Sequence, residues 1–105
     1  ENAKVLIVGW GSTYGAIKAA VKELFESGYS IAHVHLRYIK PFPHNLESLL
    51  KQSEHILVPE INNGQLVKIL RDEFLIDAIS MTKIKGIPFE SREIKQRIIE
   101  LHDGK

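Results

Sequence analysis

The apolar positions of this chain switch repeatedly between a strand-like and a helix-like period. Val5-Leu-Ile-Val8 is an unbroken apolar run within a first strand expected at about 4–10; such a run suits a strand buried on both faces. Ile17, Ala20, Val21 and Leu24 then recur at helical spacing, with Ser27-Gly28 as the stop. Ser12 or Thr13 is positioned to cap that helix with a hydroxyl. A second strand is expected over 31–38, with Ala32, Val34, Leu36 and Tyr38 on one face and Ile31, His33, His35 and Arg37 on the other. Pro41-Phe-Pro43 ends it, because proline cannot donate to a ladder. A short helix over 45–52 buries Leu46, Leu49 and Leu50, and a third strand covers about 55–59.

The Asn62-Asn63-Gly64 turn resembles a hairpin signal, yet Leu66, Ile69, Leu70 and Phe74 follow it at helical spacing. It therefore reads as a strand–helix turn. A fourth strand is expected at about 78–84, and a last helix carries Ile94, Ile98 and Leu101 on one face. Regular alternation of strand and helix requires right-handed crossovers and helices on both faces of the sheet. The expected fold is a single three-layer α/β/α domain over 1–105 with a mainly parallel sheet, its strand order left open.

Composition narrows the function classes. The chain has 105 residues, a formal net charge of +1, 44% hydrophobic and 26% charged residues, the profile of an ordinary globular domain. That length supports a core burying ~65% of the unfolded surface. Basic and acidic residues are interspersed, so the basic stripe of a nucleic-acid binder is missing, and no apolar run reaches the ~20 residues of a membrane span. No cysteine is present, which excludes disulfides and thiolate-held metals or clusters within this segment and agrees with a cytoplasmic protein. The chain starts at Glu1 rather than Met, as expected of a piece of something longer.

The first turn, Gly9-Trp-Gly-Ser-Thr-Tyr-Gly15, invites ligand readings. A dinucleotide fingerprint would place glycine where Tyr14 stands, and an acid at the end of strand two where His35, Arg37 and Tyr38 stand. A P-loop would need Gly-Lys-Ser/Thr; a receiver domain would need acids after the first strand. Neither is met. His33 and His35 share a strand face at a spacing a metal could use, but no third ligand is evident; the plainer reading is two imidazoles under a helix, hydrogen-bonded or partly wet.

The carboxyl edge of the sheet is where open α/β folds place ligands and partners. Gly9, Trp10, Gly11, Ser12, Thr13, Glu60, Asn62, Asn63 and Gln65 fall there and are the candidate interface or ligand-edge residues. Two readings stay open: a contact surface, or a helix capped by Asn62 or Asn63 beside a solvated Glu60. No nucleophile–base pair can be named. Trp10 and Tyr14 are equally packing residues or contacts.

Four passages resemble, in order, the alpha subunit of 2-oxoacid:ferredoxin oxidoreductases of the 2-oxoglutarate or pyruvate type. They are Gly9-Trp-Gly-Ser-Thr13, His35-Leu-Arg-Tyr-Ile-Lys-Pro-Phe-Pro43, Val58-Pro-Glu-Ile-Asn-Asn-Gly-Gln-Leu66 and Lys83-Ile-Lys-Gly-Ile-Pro-Phe89. Asn63 departs from the larger apolar residue that family members often carry there. The resemblance implies a fold like the C-terminal domain of transketolase and a place as the last domain of that subunit. It further implies an enzyme that decarboxylates a 2-oxoacid on thiamine diphosphate and magnesium. Electrons pass through iron–sulfur clusters to ferredoxin, and an acyl-coenzyme A forms. All of these cofactors would be bound outside this domain, which would itself be non-catalytic. Its implied partners are the preceding thiamine-binding domain and the beta subunit, with Trp10, Tyr14, Tyr38 and Phe42 as aromatic anchors. The alternatives are a stand-alone module taking a small anion or nucleotide at the first turn, and the C-terminal domain of a transketolase or dehydrogenase.

Overall fold

A computed structural model of the chain describes residues 4–36, 45–60, 65–82 and 89–104, leaving out the side chains of Ser12 and Gln65. Strand β1 (Val5–Trp10) leads through one 3-10 turn (Gly11–Thr13) into α1 (Tyr14–Glu26). Then follow β2 (Ile31–Leu36), α2 (Leu46–Gln52), β3 (His55–Glu60), α3 (Gln65–Phe74), β4 (Ala78–Thr82) and α4 (Ser91–Asp103). The expected ends of the second and fourth strands at 37–38 and 83–84 lie outside the described residues, as do Tyr38, Phe42, Asn62 and Asn63.

The sheet order is β2-β1-β3-β4, and all three pairings are parallel. β1 is central, which is why Val5, Leu6, Ile7 and Val8 are each at most 1% exposed. Their alternation divides the core in two. Leu6 and Val8 join Leu36, Leu46, Leu50, Leu66 and Leu70 beneath α2 and α3. Val5 and Ile7 join Ile17, Ala20, Leu24, Ile94 and Ile98 beneath α1 and α4. Each fully buried Leu or Ile contributes about 1.5–3 kcal/mol from burial, so both layers are required. The domain is α/β in three layers, as the periodicity predicts.

The helix ends follow local chemistry. Gly28, at φ +95°, closes α1 while Tyr29 N–H donates to the Leu24 carbonyl. Glu90 and Glu93 form a reciprocal capping box at the start of α4. Arg71 donates from Nε and Nη2 to the Ala78 carbonyl, at 3.0 and 2.6 Å, tying α3 to β4. Lys95 pairs with Glu23 between α4 and α1.

Candidate functional site

Parallel strands deliver Trp10, Leu36, Glu60 and Thr82 to one edge of the sheet. The first turn sits there between β1 and α1. Gly11 adopts φ +71°, a left-handed conformation that glycine alone takes without strain. Gly9 serves a different purpose. It pairs in register with His35 of β2, and a Cβ on it would lie 2.6 Å from Ile17 Cδ1 and 2.9 Å from His35 Nδ1. Close approach, not dihedral freedom, demands the first glycine.

The expectation that Thr13 caps α1 with its hydroxyl is corrected by this turn. Thr13, 3% exposed, donates its hydroxyl back to the Trp10 carbonyl at 3.1 Å and makes no side-chain cap bond to α1. The 3-10 turn supplies a gradual entry into the helix instead. The side chain of Ser12 lies outside the described set.

Glu60 is the second correction. Far from being solvated, it is 6% exposed. Its Oε1 accepts from Leu66 N–H at 2.8 Å and its Oε2 from Val67 N–H at 3.2 Å. A carboxylate from the end of β3 therefore satisfies two of the orphan donors of α3 and meets the positive end of its dipole. The capping role assigned to Asn62 or Asn63 is met at these two amides by Glu60. Asn62, Asn63 and the Gln65 side chain are outside the described residues.

His33 and His35 face α1, as the alternation of β2 requires, and both are half-buried beneath it. His33 Nε2 and His35 Nδ1 are buried with no partner among the described residues. Burial, then the charge of the neighbouring His35, pushes the His33 pKa down to about 4. Burial also lowers that of His35, opposed by a hydrogen bond with the Gly11 backbone. Both imidazoles are therefore neutral near pH 7. Tyr14 lies over them, its ring centroid 4.9 Å from His35 and 5.9 Å from His33. Tyr14 remains 46% exposed, with Lys18 Nζ 5.6 Å from its ring. Trp10 points the other way and packs, half-buried, against the α2–α3 layer.

Among the described residues, no three His, Cys, Asp or Glu side chains gather as metal ligands, and no helix is long and apolar enough to cross a membrane. Thr13 and Glu60 spend their polar atoms on the backbone of this same domain. Among the described residues, the edge presents Gly11 of the first turn and the ring of Tyr14 outward. Sequence reasoning missed the Glu60 cap and the Gly9–His35 fit. An acid ending an apolar strand six residues before a helical stripe was the available signal for the first.

The described residues form a parallel α/β domain whose carboxyl edge carries the first turn and the buried Glu60. Residues 3–96 match the family model of pyruvate:ferredoxin oxidoreductase core domain II, and the chain belongs to this family. It is 44% identical over 93 residues to the 2-oxoglutarate oxidoreductase subunit KorA of Mycobacterium tuberculosis, covering 89% of this chain and 14% of that one. It is 30% identical to the 2-oxoglutarate synthase subunit KorA of Archaeoglobus fulgidus, over 95% of this chain and 28% of the relative. A solved 2-oxoglutarate:ferredoxin oxidoreductase from Magnetococcus marinus, with 2-oxoglutarate, coenzyme A and succinyl-CoA bound, superposes with a TM-score of 0.89 at 30% identity. That match covers 95% of this chain and 18% of the solved one. The chain thus spans 14% to 28% of the length of these three relatives.

Proposed function

We propose that this chain is the C-terminal domain of the alpha subunit of a cytoplasmic 2-oxoacid:ferredoxin oxidoreductase, serving as an interface and scaffold. The observation that carries the reading is the family match over residues 3–96, coupled with relatives several times longer that are subunits of such enzymes. The whole enzyme would oxidatively decarboxylate a 2-oxoacid to an acyl-coenzyme A and pass the electrons to ferredoxin. Thiamine diphosphate would supply the decarboxylation chemistry, bound outside this domain.

Among the described residues, the donor set does not fit an iron–sulfur cluster or a protein-held magnesium. An iron–sulfur cluster needs thiolates, and the sequence has no cysteine. Magnesium held by protein needs convergent carboxylates, whereas the buried Glu60 is committed to α3. No reaction step is assigned to this domain. Its work is to present the first turn, with Gly11 and Tyr14 exposed, to the neighbouring domain and subunit. An interface of this kind buries on the order of 800 Å² per partner.

Affinity between the full-length alpha subunit and its beta partner tests this. Tyr14→Ala, at the exposed aromatic of the edge, is expected to raise the Kd about tenfold, with little change in alpha-subunit melting. An unchanged Kd in both Tyr14→Ala and the bulky, charged Tyr14→Arg would refute the docking role of this edge.

A further inference from the structure

We infer that a groove at the amino edge of the sheet, lipped by Leu75, docks the preceding part of the same alpha subunit. The docked segment brings an apolar side chain flanked by Lys or Arg. The groove lies at the opposite end of the strands from the first turn, between the ends of α2 and α3. It encloses about 260 Å³ and is lined on its apolar side by Leu50, Ile56 and Ile76. Leu75 follows α3 at φ 54°, its N–H on the Arg71 carbonyl at 3.0 Å. Glycine fills such a helix terminus with least strain. The leucine side chain gains little packing in this domain, being 88% exposed. Strain without packing points to a contact made outside the domain.

Charge selects the chemistry of the occupant. Glu54 and Asp77 also line the groove; both are exposed, and neither is paired with a cation among the described residues. Lys51, on the same rim, is held by Glu47 at 2.8 Å. Two unpaired carboxylates beside an apolar wall fit an apolar side chain next to Lys or Arg. Position selects the source. The Lys4 carbonyl accepts from His55 N–H at 3.0 Å, so the chain entering β1 arrives beside the start of β3. Glu54 and Ile56 border the groove at that same place. This chain spans 14% to 28% of its matched relatives, and the C-terminal placement proposed above sets the remaining alpha subunit ahead of Lys4.

The inference rests on that placement, and the test separates the two. The photoreactive residue benzoylphenylalanine replaces Leu75 in the full-length alpha subunit, and the assembled enzyme is irradiated. The expected product migrates as one alpha subunit, with residue 75 joined to a peptide upstream of Lys4 that carries Lys or Arg beside the contact. Leu75→Ala keeps the backbone and removes the anchor. It is expected to speed hydrogen–deuterium exchange of that peptide about tenfold, while exchange in β1 stays at the wild-type rate. Glu54→Lys combined with Asp77→Lys is expected to speed it likewise. An adduct with the beta subunit, an adduct between two alpha subunits, or no adduct overturns the proposal. So does an upstream contact without Lys or Arg, or wild-type exchange of the upstream peptide in Leu75→Ala. A full-length protein with no chain ahead of Lys4 overturns the C-terminal placement as well, which tells the two failures apart.

Discussion

Glu60 Oε1 stands 2.8 Å from the amide nitrogen of Leu66, joining the end of β3 to the start of α3 through a buried carboxylate. Its second oxygen takes the Val67 amide. Removing it leaves two buried N–H groups unpaired, which costs about 1–3 kcal/mol. Glu60→Ala is therefore expected to lower unfolding free energy by about 2–3 kcal/mol, and Glu60→Gln, which keeps one acceptor, by about half that. Urea unfolding of the two variants beside wild type checks the order.

The glycines of the first turn should separate by mechanism. Gly9→Ala drives a Cβ to 2.6 Å from Ile17 Cδ1 and is expected to cost about 1–3 kcal/mol by overpacking. Gly11→Ala meets no atom within 4 Å but keeps φ +71°, a strain of about 1 kcal/mol. Gly15 lies in α1 with open space around it, so Gly15→Ala should stabilise by about 0.5–1 kcal/mol. Thermal melts of the three variants give the ranking directly.

Much of this fold was legible because apolar period is a local property. The two-sided burial of Val5–Val8 and the stripe Ile17–Ala20–Leu24 were written in the residues themselves. Strand order was not, since parallel pairing is decided by contacts far apart in sequence. At the edge, residue types located the site but not its bonding. Thr13 looks like a cap and instead bonds back to Trp10. Glu60 looks solvated and instead serves α3, because its depth depends on where the helix is carried in three dimensions.

The paired imidazoles should make stability fall in acid. His33 has a folded pKa of about 4 against an ordinary 6.5, so the unfolded chain binds the proton more readily. Its contribution is fully present above pH 6.5 and is lost as pH drops from there toward 4. His35 is shifted the same way. Denaturation midpoints between pH 7.5 and 4 should decline, and His33→Gln should flatten that decline without abolishing it.

Leu75, just past α3, is the single described non-glycine residue at positive φ (54°) and is 88% exposed. Its strain is offset by little packing. Leu75→Gly is expected to stabilise by about 0.5–1 kcal/mol, as a left-handed helix terminus does when glycine occupies it. Differential scanning calorimetry reads the shift.

Ferredoxin reduction is the measurement that bears most directly on the proposal that this domain is a scaffold whose chemistry lies elsewhere. The assay supplies a panel of 2-oxoacids with coenzyme A, thiamine diphosphate and magnesium, first to the complete alpha–beta enzyme and then to the 105-residue chain alone. The complete enzyme should turn over and the isolated chain should not. Substrate-dependent reduction by the chain by itself would contradict the account.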